Sequence, residues 1–443
     1  VSSVGISKAQ ETPLDWRIEN RTDRNVRATK GDTMQTYTAT PVSEGERIHA
    51  LDALRGIALL GILIVNMGAF KGLSTIELFP SKESLAQPIN AAAYWLIEGL
   101  FFSKFYPIFA FLFGLGFALQ MERLQARAIN PTGIMLRRLL ILLIMGALHG
   151  LFIWTGDVLF MYAISGMVLL LFRTVRPSVA LGWVIGLWSV QAFLCLSCGG
   201  LTIWWGAVGN AGEAGQANFL TEYIEQGRRA YAQGSYWEAQ QFRFVEWLIM
   251  LANAIFFAPN VLMMFLLGLY FGKIGAFARL EEHRRLMGWL AGLGLTLGLA
   301  SNALIATGMV NAVRAENEFL QFGWLTLSIV VGPLLSLGYI GAFGLLWTMT
   351  PAFQRLLAPV AAAGRMALTN YLTQSVVCTL LFYGYGFGLH DKVSIAQGLG
   401  LSALIWAVQV VLSVLWLARF QYGPMEWLWR SLTYGQRMAL RRA

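Results

Sequence analysis

Ten apolar stretches alternate with short polar connections from Leu51 almost to the C-terminus. A helix crossing a bilayer needs about 20 mostly apolar residues, and these stretches are of that order. Of the 443 residues, 56% are hydrophobic and only 13% charged, with 28 Phe and 16 Trp, far more apolar surface than one soluble core can hide. In hydrocarbon every backbone polar group must be satisfied internally. The expected fold is therefore all-α, a polytopic membrane bundle of about ten helices. The spans are expected near residues 51–71, 97–120, 137–155, 158–173, 178–205, 246–271, 286–308, 323–348, 367–389 and 396–418.

The basic residues are distributed unevenly about these spans. Arg123, Arg127, Arg137, Arg138, Arg173, Arg176, Lys273, Arg279, Arg284, Arg285, Arg355, Arg365 and the tail from Arg419 fall on one side. That side carries about twice as many Lys and Arg as the other, so the positive-inside rule predicts cytoplasmic N- and C-termini. Basic edges facing anionic lipid account for the net charge of +9, and no nucleic-acid partner is expected.

Residues 1–46 are polar and of mixed charge, without the apolar core of a signal peptide, and are expected to form a flexible tail. The chain begins with Val and Met34 opens a more natural-looking start, so part of this segment is expected to lie outside the native protein. Residues 47–420 are assigned to the bundle, with an outer loop or cap at 206–243, and residues 421–443 to an interfacial cytoplasmic tail. Cys195 and Cys198 have redox-motif spacing but sit in an apolar span, and His is scarce, so neither a disulfide framework nor a metal site is expected.

Polar side chains inside spans are the strongest functional signal, because hydrocarbon disfavours them unless they face the bundle interior or a wet cavity. They fall into two layers. In the inner layer, Asp52 and Arg55 share a helix face three residues apart. They form either a neutral clasp or an Arg shared with an anionic ligand. Arg137, Arg138 and Arg365 open spans on the same side and suit bidentate phosphate binding, or equally snorkel toward headgroups. In the outer layer lie Asn66, Lys104, Tyr106-Pro107, His149 and Asp157. His149 is the one His within an expected span and the first candidate for a general base. Its spacing from Asp157 predicts about 12 Å along a helix, a shared face without direct contact. Asn370 and Gln374, four apart, form a polar stripe on the ninth span that either lines a path or joins helices.

Four segments together resemble the bacterial YeiB-type family, long labelled a domain of unknown function: Arg47 to Gly56 with Asn66, Gly156-Asp157 through Tyr162-Ala163, Gly364-Arg365 to Ser375, and Gly423 to Trp427. The likeness covers roughly residues 47–435 and implies a multi-pass protein of the bacterial cytoplasmic (inner) membrane. The first motif, and Lys104 to Gly114, also resemble membrane-bound acyltransferases of the heparan-glucosaminide N-acetyltransferase kind. That resemblance implies a cytoplasmic acyl-CoA donor as co-substrate, no permanently bound cofactor, and a small-molecule or glycan acceptor. The catalytic His those enzymes carry in the first outer loop has no counterpart between Lys71 and Lys104.

The leading expectation is thus an acyltransferase-like membrane protein. Arg55, Arg137, Arg138 and Arg365 would hold donor phosphates, with Asp52, Tyr162, Asn370 and Gln374 also lining the substrate path. His149, oriented by Asp157, would act as base, and Lys104 or Asn66 would steady the oxyanion. Two alternatives are a transporter without covalent chemistry and a lipid- or quinone-binding structural protein.

Overall fold

A computed structural model describes residues 48–72, 79–208 and 214–442; the expected tail at 1–46 lies outside them. Fourteen α-helices follow one another, and among the described residues there is no strand. Each of the ten apolar stretches contains a helix. They correspond to α1 (His49–Lys71), α2–α3 (Pro88–Leu96 and Phe105–Ala126), α4 (Pro131–Phe152), α5 (Leu159–Leu169), α6 (Pro177–Val208), α8 (Tyr236–Lys273), α9 (Arg284–Arg314), α10 (Glu318–Met349), α12 (Ala367–Phe382) and α13 (Ile395–Arg419). Three further helices lie between or after them: α7 (Ala214–Gln233), α11 (Pro351–Arg365) and α14 (Pro424–Tyr434).

By length and composition, seven helices can cross a membrane, and α8, bent by 61° between Ala254 and Phe257, makes an eighth if its two halves count as one span. Two of the ten expected spans are shorter. Residues 158–173 give the apolar helix Leu159–Phe172, and residues 367–389 give only Ala367–Phe382. At 16 residues, the latter is about 24 Å long, short of the roughly 30 Å hydrocarbon core. The remainder of that expected span, residues 383–389, belongs to a non-helical strap that runs to residue 394.

The outward faces are what lipid demands. Leu136, Leu140, Ile144 and Leu148 are exposed along one face of α4, as are Val408, Val411, Leu412 and Leu415 on α13. Contiguous apolar patches of this kind are a liability in water and the requirement in a bilayer. Inside, α1, α3 and α8 supply the core, with Ala53, Ala58, Phe111, Leu115, Met264 and Phe265 fully enclosed.

Two features hold the end of the bundle that carries the inner polar layer. The first is a close crossing of α1 and α11. A Cβ at Gly364 would stand 1.8 Å from the Asp52 carbonyl oxygen, and one at Gly56 2.1 Å from that of Val360. Only glycine lets these two backbones touch. The second is α14, which follows the last long helix and packs on α4 and α12. Behind it the chain turns back, with the Gln421 amide donating to Leu440 and the Arg442 amide to Arg419.

Candidate functional site

The crossing of α1 with α11 sets Asp52 and Arg55, in the first turns of α1, beside Arg365 at the end of α11. Arg138 arrives from α4 and Arg430 from α14. Together they line a cavity of about 250 Å³. Its walls beyond the arginines are apolar: Phe109, Phe113, Phe117, Leu139, Leu142 and Leu159, with Tyr162 and Tyr371 among them.

Each arginine is held in a different way. Arg55 Nη1 lies 2.8 Å from Asp52 Oδ1, the clasp anticipated from their spacing, while its side chain stays 27% exposed. The same guanidinium thus makes the clasp and lines the cavity. Arg138 donates to Gln120 Oε1 at 2.5 Å and stacks 4.1 Å from the centre of the Trp429 ring, whose indole N–H donates back to the Arg138 carbonyl. Arg430 rests over Tyr422 at 4.9 Å. Cation–π seating of this kind fixes a guanidinium without consuming its N–H donors.

Glu426 explains the Gly423-Pro424-Met425-Glu426-Trp427 motif. Its carboxyl accepts from the Leu368 amide (2.7 Å), the Thr369 amide (3.1 Å) and the Thr369 hydroxyl (2.6 Å), and so caps the N-terminus of α12 from another helix. Burial pushes this carboxyl above the usual range, against those hydrogen bonds. The cap also closes the cavity floor, since Glu426, Trp429 and Arg430 all line it.

A second chamber of about 90 Å³ is lined by Asn66, Ser103, Tyr106 and Gly156, with Val65, Phe101 and Phe105. Ile62, Val158 and Tyr371 line both spaces, so the two chambers abut across those three residues. Tyr371 is fixed there, donating to the Gly156 carbonyl (3.3 Å) and accepting from the Val158 amide (3.2 Å).

His149 and Asp157 were expected to share a face without touching, yet Nδ1 of His149 lies 2.8 Å from Oδ1 of Asp157. The chain leaves α4 at Phe152 and folds back into α5, so a separation measured along one continuous helix does not apply. Asp157 Oδ2 accepts from the Phe160 amide at the start of α5. The His149 ring faces Tyr371, with centroids 5.3 Å apart. Both residues are buried, and neither lines a chamber.

Other expected site residues divide similarly. Asp52, Arg55, Arg138, Tyr162 and Arg365 line the large cavity, and Asn66 the small one. Arg137 is exposed, beside Gly435, and lines neither. Lys104 is fully buried, its ammonium donating to the Glu98 carbonyl at 2.6 Å. Asn370 donates to Ala363 and Ser413, and Gln374 to Gln409, so the polar stripe of α12 joins α13 rather than lining a path. Tyr371, Glu426, Trp429 and Arg430 were not singled out as site residues. Glu426 and Arg430 sit four apart in a motif that follows the last long span, and that spacing was the available signal.

Comparison with known proteins places residues 271–436 in the family described as "Protein of unknown function (DUF418)". The chain is 34% identical over 414 residues to "Uncharacterized protein YxaH" of Bacillus subtilis (strain 168), covering 89% of this chain and 96% of that one. It is 30% identical over 400 residues to "Uncharacterized protein YeiB" of Escherichia coli (strain K12), covering 88% and 96%.

Proposed function

The chain belongs to the YeiB-type DUF418 family, and from that premise we propose that it is an acyltransferase-like membrane protein whose large cavity receives an acyl-CoA-type donor. The observation that carries this reading is the division of one cavity into a cationic end and an apolar end. Four guanidinium groups gather where phosphates would sit, and apolar walls lead from them toward Tyr371. At about 250 Å³ the space is near the lower bound of small-ligand pockets, about 300 Å³. It suits the thioester arm, with the nucleotide phosphates remaining at the arginines. Arg430 takes the place in this set that was expected for Arg137.

In the transfer, a nucleophilic oxygen or nitrogen of a small-molecule or glycan acceptor bonds to the acyl carbon as the carbon–sulfur bond breaks. The acceptor's proton leaves with the thiol. His149 and Asp157 support this arrangement from behind Tyr371 and do not reach either chamber, so we give them a positioning role. The resemblance of the first motif to membrane-bound acyltransferases supports the choice of donor.

The test is binding of acyl-CoA to the purified protein in detergent. Binding that is lost in Arg55→Ala supports the reading; no binding of any acyl-CoA ends it. One observation favours passage of a solute without covalent chemistry: the best candidate base lies outside both spaces. Acyl-CoA that binds and is never consumed in the presence of membrane extract would favour that second reading.

A further inference from the structure

The smaller chamber differs from its neighbour in one respect that decides what it can hold. Asp52, Arg55, Arg138, Arg365, Glu426 and Arg430 all line the larger space, whereas no carboxyl, ammonium, imidazole or guanidinium group lines the smaller one. An ion entering it would lose its hydration without gaining a counter-charge. Its polar side-chain groups are the Asn66 carboxamide and the hydroxyls of Ser103, Tyr106 and Tyr371, the last already engaged by the Gly156 carbonyl and the Val158 amide. The Ser103 and Tyr106 hydroxyls lie close to one another, and neither has a further hydrogen-bond partner within the described structure. Ser103 is 3% exposed and held at φ 59°, in the left-handed region that costs free energy in any residue but glycine. A strained backbone that presents an unsatisfied buried hydroxyl to a cavity is an arrangement a ligand would complete. The stacked rings of Phe101 and Phe105, 5.5 Å apart, lie on the same chamber and offer a surface for C–H groups.

We propose that this chamber is a binding site for a neutral, hydroxyl-bearing group of the size of glycerol. At about 30 Å³ of liquid volume for each water-sized unit, its 90 Å³ takes about three such units, the scale of a short polyol. Asn66 both donates and accepts, and the Ser103 and Tyr106 hydroxyls do the same, which matches a polyol and not an anion. That the bound group is the acceptor of the transfer rests on the reading above; the binding itself does not.

The test uses the full chain in lipid nanodiscs with Val65→Cys, which lines the chamber and leaves its polar groups in place. The rate at which the introduced thiol reacts with methyl methanethiosulfonate is followed by peptide mass, with the half-buried Cys198 as internal reference. Glycerol is expected to slow modification at position 65 at least five-fold and leave Cys198 unchanged, whereas sucrose at matched viscosity has no effect. No slowing, or equal slowing by sucrose, overturns the proposal. So does failure of the reagent to react at all, because a chamber closed to it is closed to the ligand. Ile62→Cys, also on the chamber wall, gives the same readout should Val65→Cys not fold. Acyl-CoA binding is measured on the same samples: glycerol protection without acyl-CoA binding defeats only the donor reading, and the converse defeats only this one.

Discussion

Nδ1 of His149 lies 2.8 Å from Oδ1 of Asp157 in a region closed to both chambers, and the ring it orients packs on Tyr371. The pair therefore acts on the site through Tyr371, which stands on the partition between the two spaces.

His149→Ala leaves a buried carboxyl without this partner, and an unsatisfied buried polar group costs about 1–3 kcal/mol. The expected result is a lower thermal midpoint for the purified protein with acyl-CoA affinity at the arginine cavity changed less than three-fold. Thermal unfolding and equilibrium binding on one preparation check both. Loss of binding with unchanged stability would contradict the positioning role.

Gly364→Ala forces α1 and α11 apart, because the new methyl group meets the Asp52 carbonyl backbone rather than a movable side chain. Overpacking typically costs 1–3 kcal/mol, occasionally more, and a backbone contact this close places the change at the upper end, about 3 kcal/mol. Gly68→Ala, on α1 with open space around it, is expected to be near neutral. The pair is compared by thermal unfolding in detergent.

Glu426→Ala removes three acceptor contacts from the start of α12. Loss of a cap costs about 0.5–2 kcal/mol. Because the same side chain holds α14 over the cavity, hydrogen exchange is expected to rise both at residues 368–370 and along α14. Exchange confined to α14 would show that the cap contributes nothing to α12.

The strap after α12 is expected to weaken in acid. The Asp391 carboxyl lies below the usual carboxylate range: burial pushes it up, and this is outweighed by the hydrogen bond from His390 and the positive charge of His390, Arg228 and Lys71. A folded value below the unfolded one means that the group favours the folded state above about pH 4, and that this contribution is lost as pH falls through the folded value. The difference in thermal midpoint between the protein and Asp391→Asn should be present at neutral pH and vanish in acid. A difference that grows as pH falls would have the wrong sign.

Helix identity was legible because apolar run length is a property of local sequence, and each of the ten stretches from Leu51 onward contains a helix. Where helices break was less so. The end of α11 at Arg365 and the short α12 depend on tertiary partners: Glu426, 58 residues from Leu368, supplies the cap that lets a new helix start after Met366. The cationic layer could be read from Asp52, Arg55, Arg138 and Arg365, since charge at a span's edge is conspicuous. Arg137 could not be separated from Arg138, because adjacent residues on a helix point about 100° apart and sequence does not say which faces inward. The roles of Asn370 and Gln374 were ambiguous for a related reason: their partners Ser413 and Gln409 lie on α13.

The central claim is that guanidinium groups facing one cavity bind the phosphates of an amphiphilic anion, and the contrast between Arg137 and its neighbour Arg138 tests it most directly. Equilibrium binding of acyl-CoA is measured for Arg137→Ala, Arg138→Ala and Arg430→Ala at fixed ionic strength. Loss of a charge-assisted hydrogen bond, about 1.5–3 kcal/mol, corresponds to a weakening on the order of ten- to a hundred-fold for Arg138→Ala and Arg430→Ala, with Arg137→Ala unchanged. Equal weakening by all three would mean that only surface charge is being read, and would contradict the account.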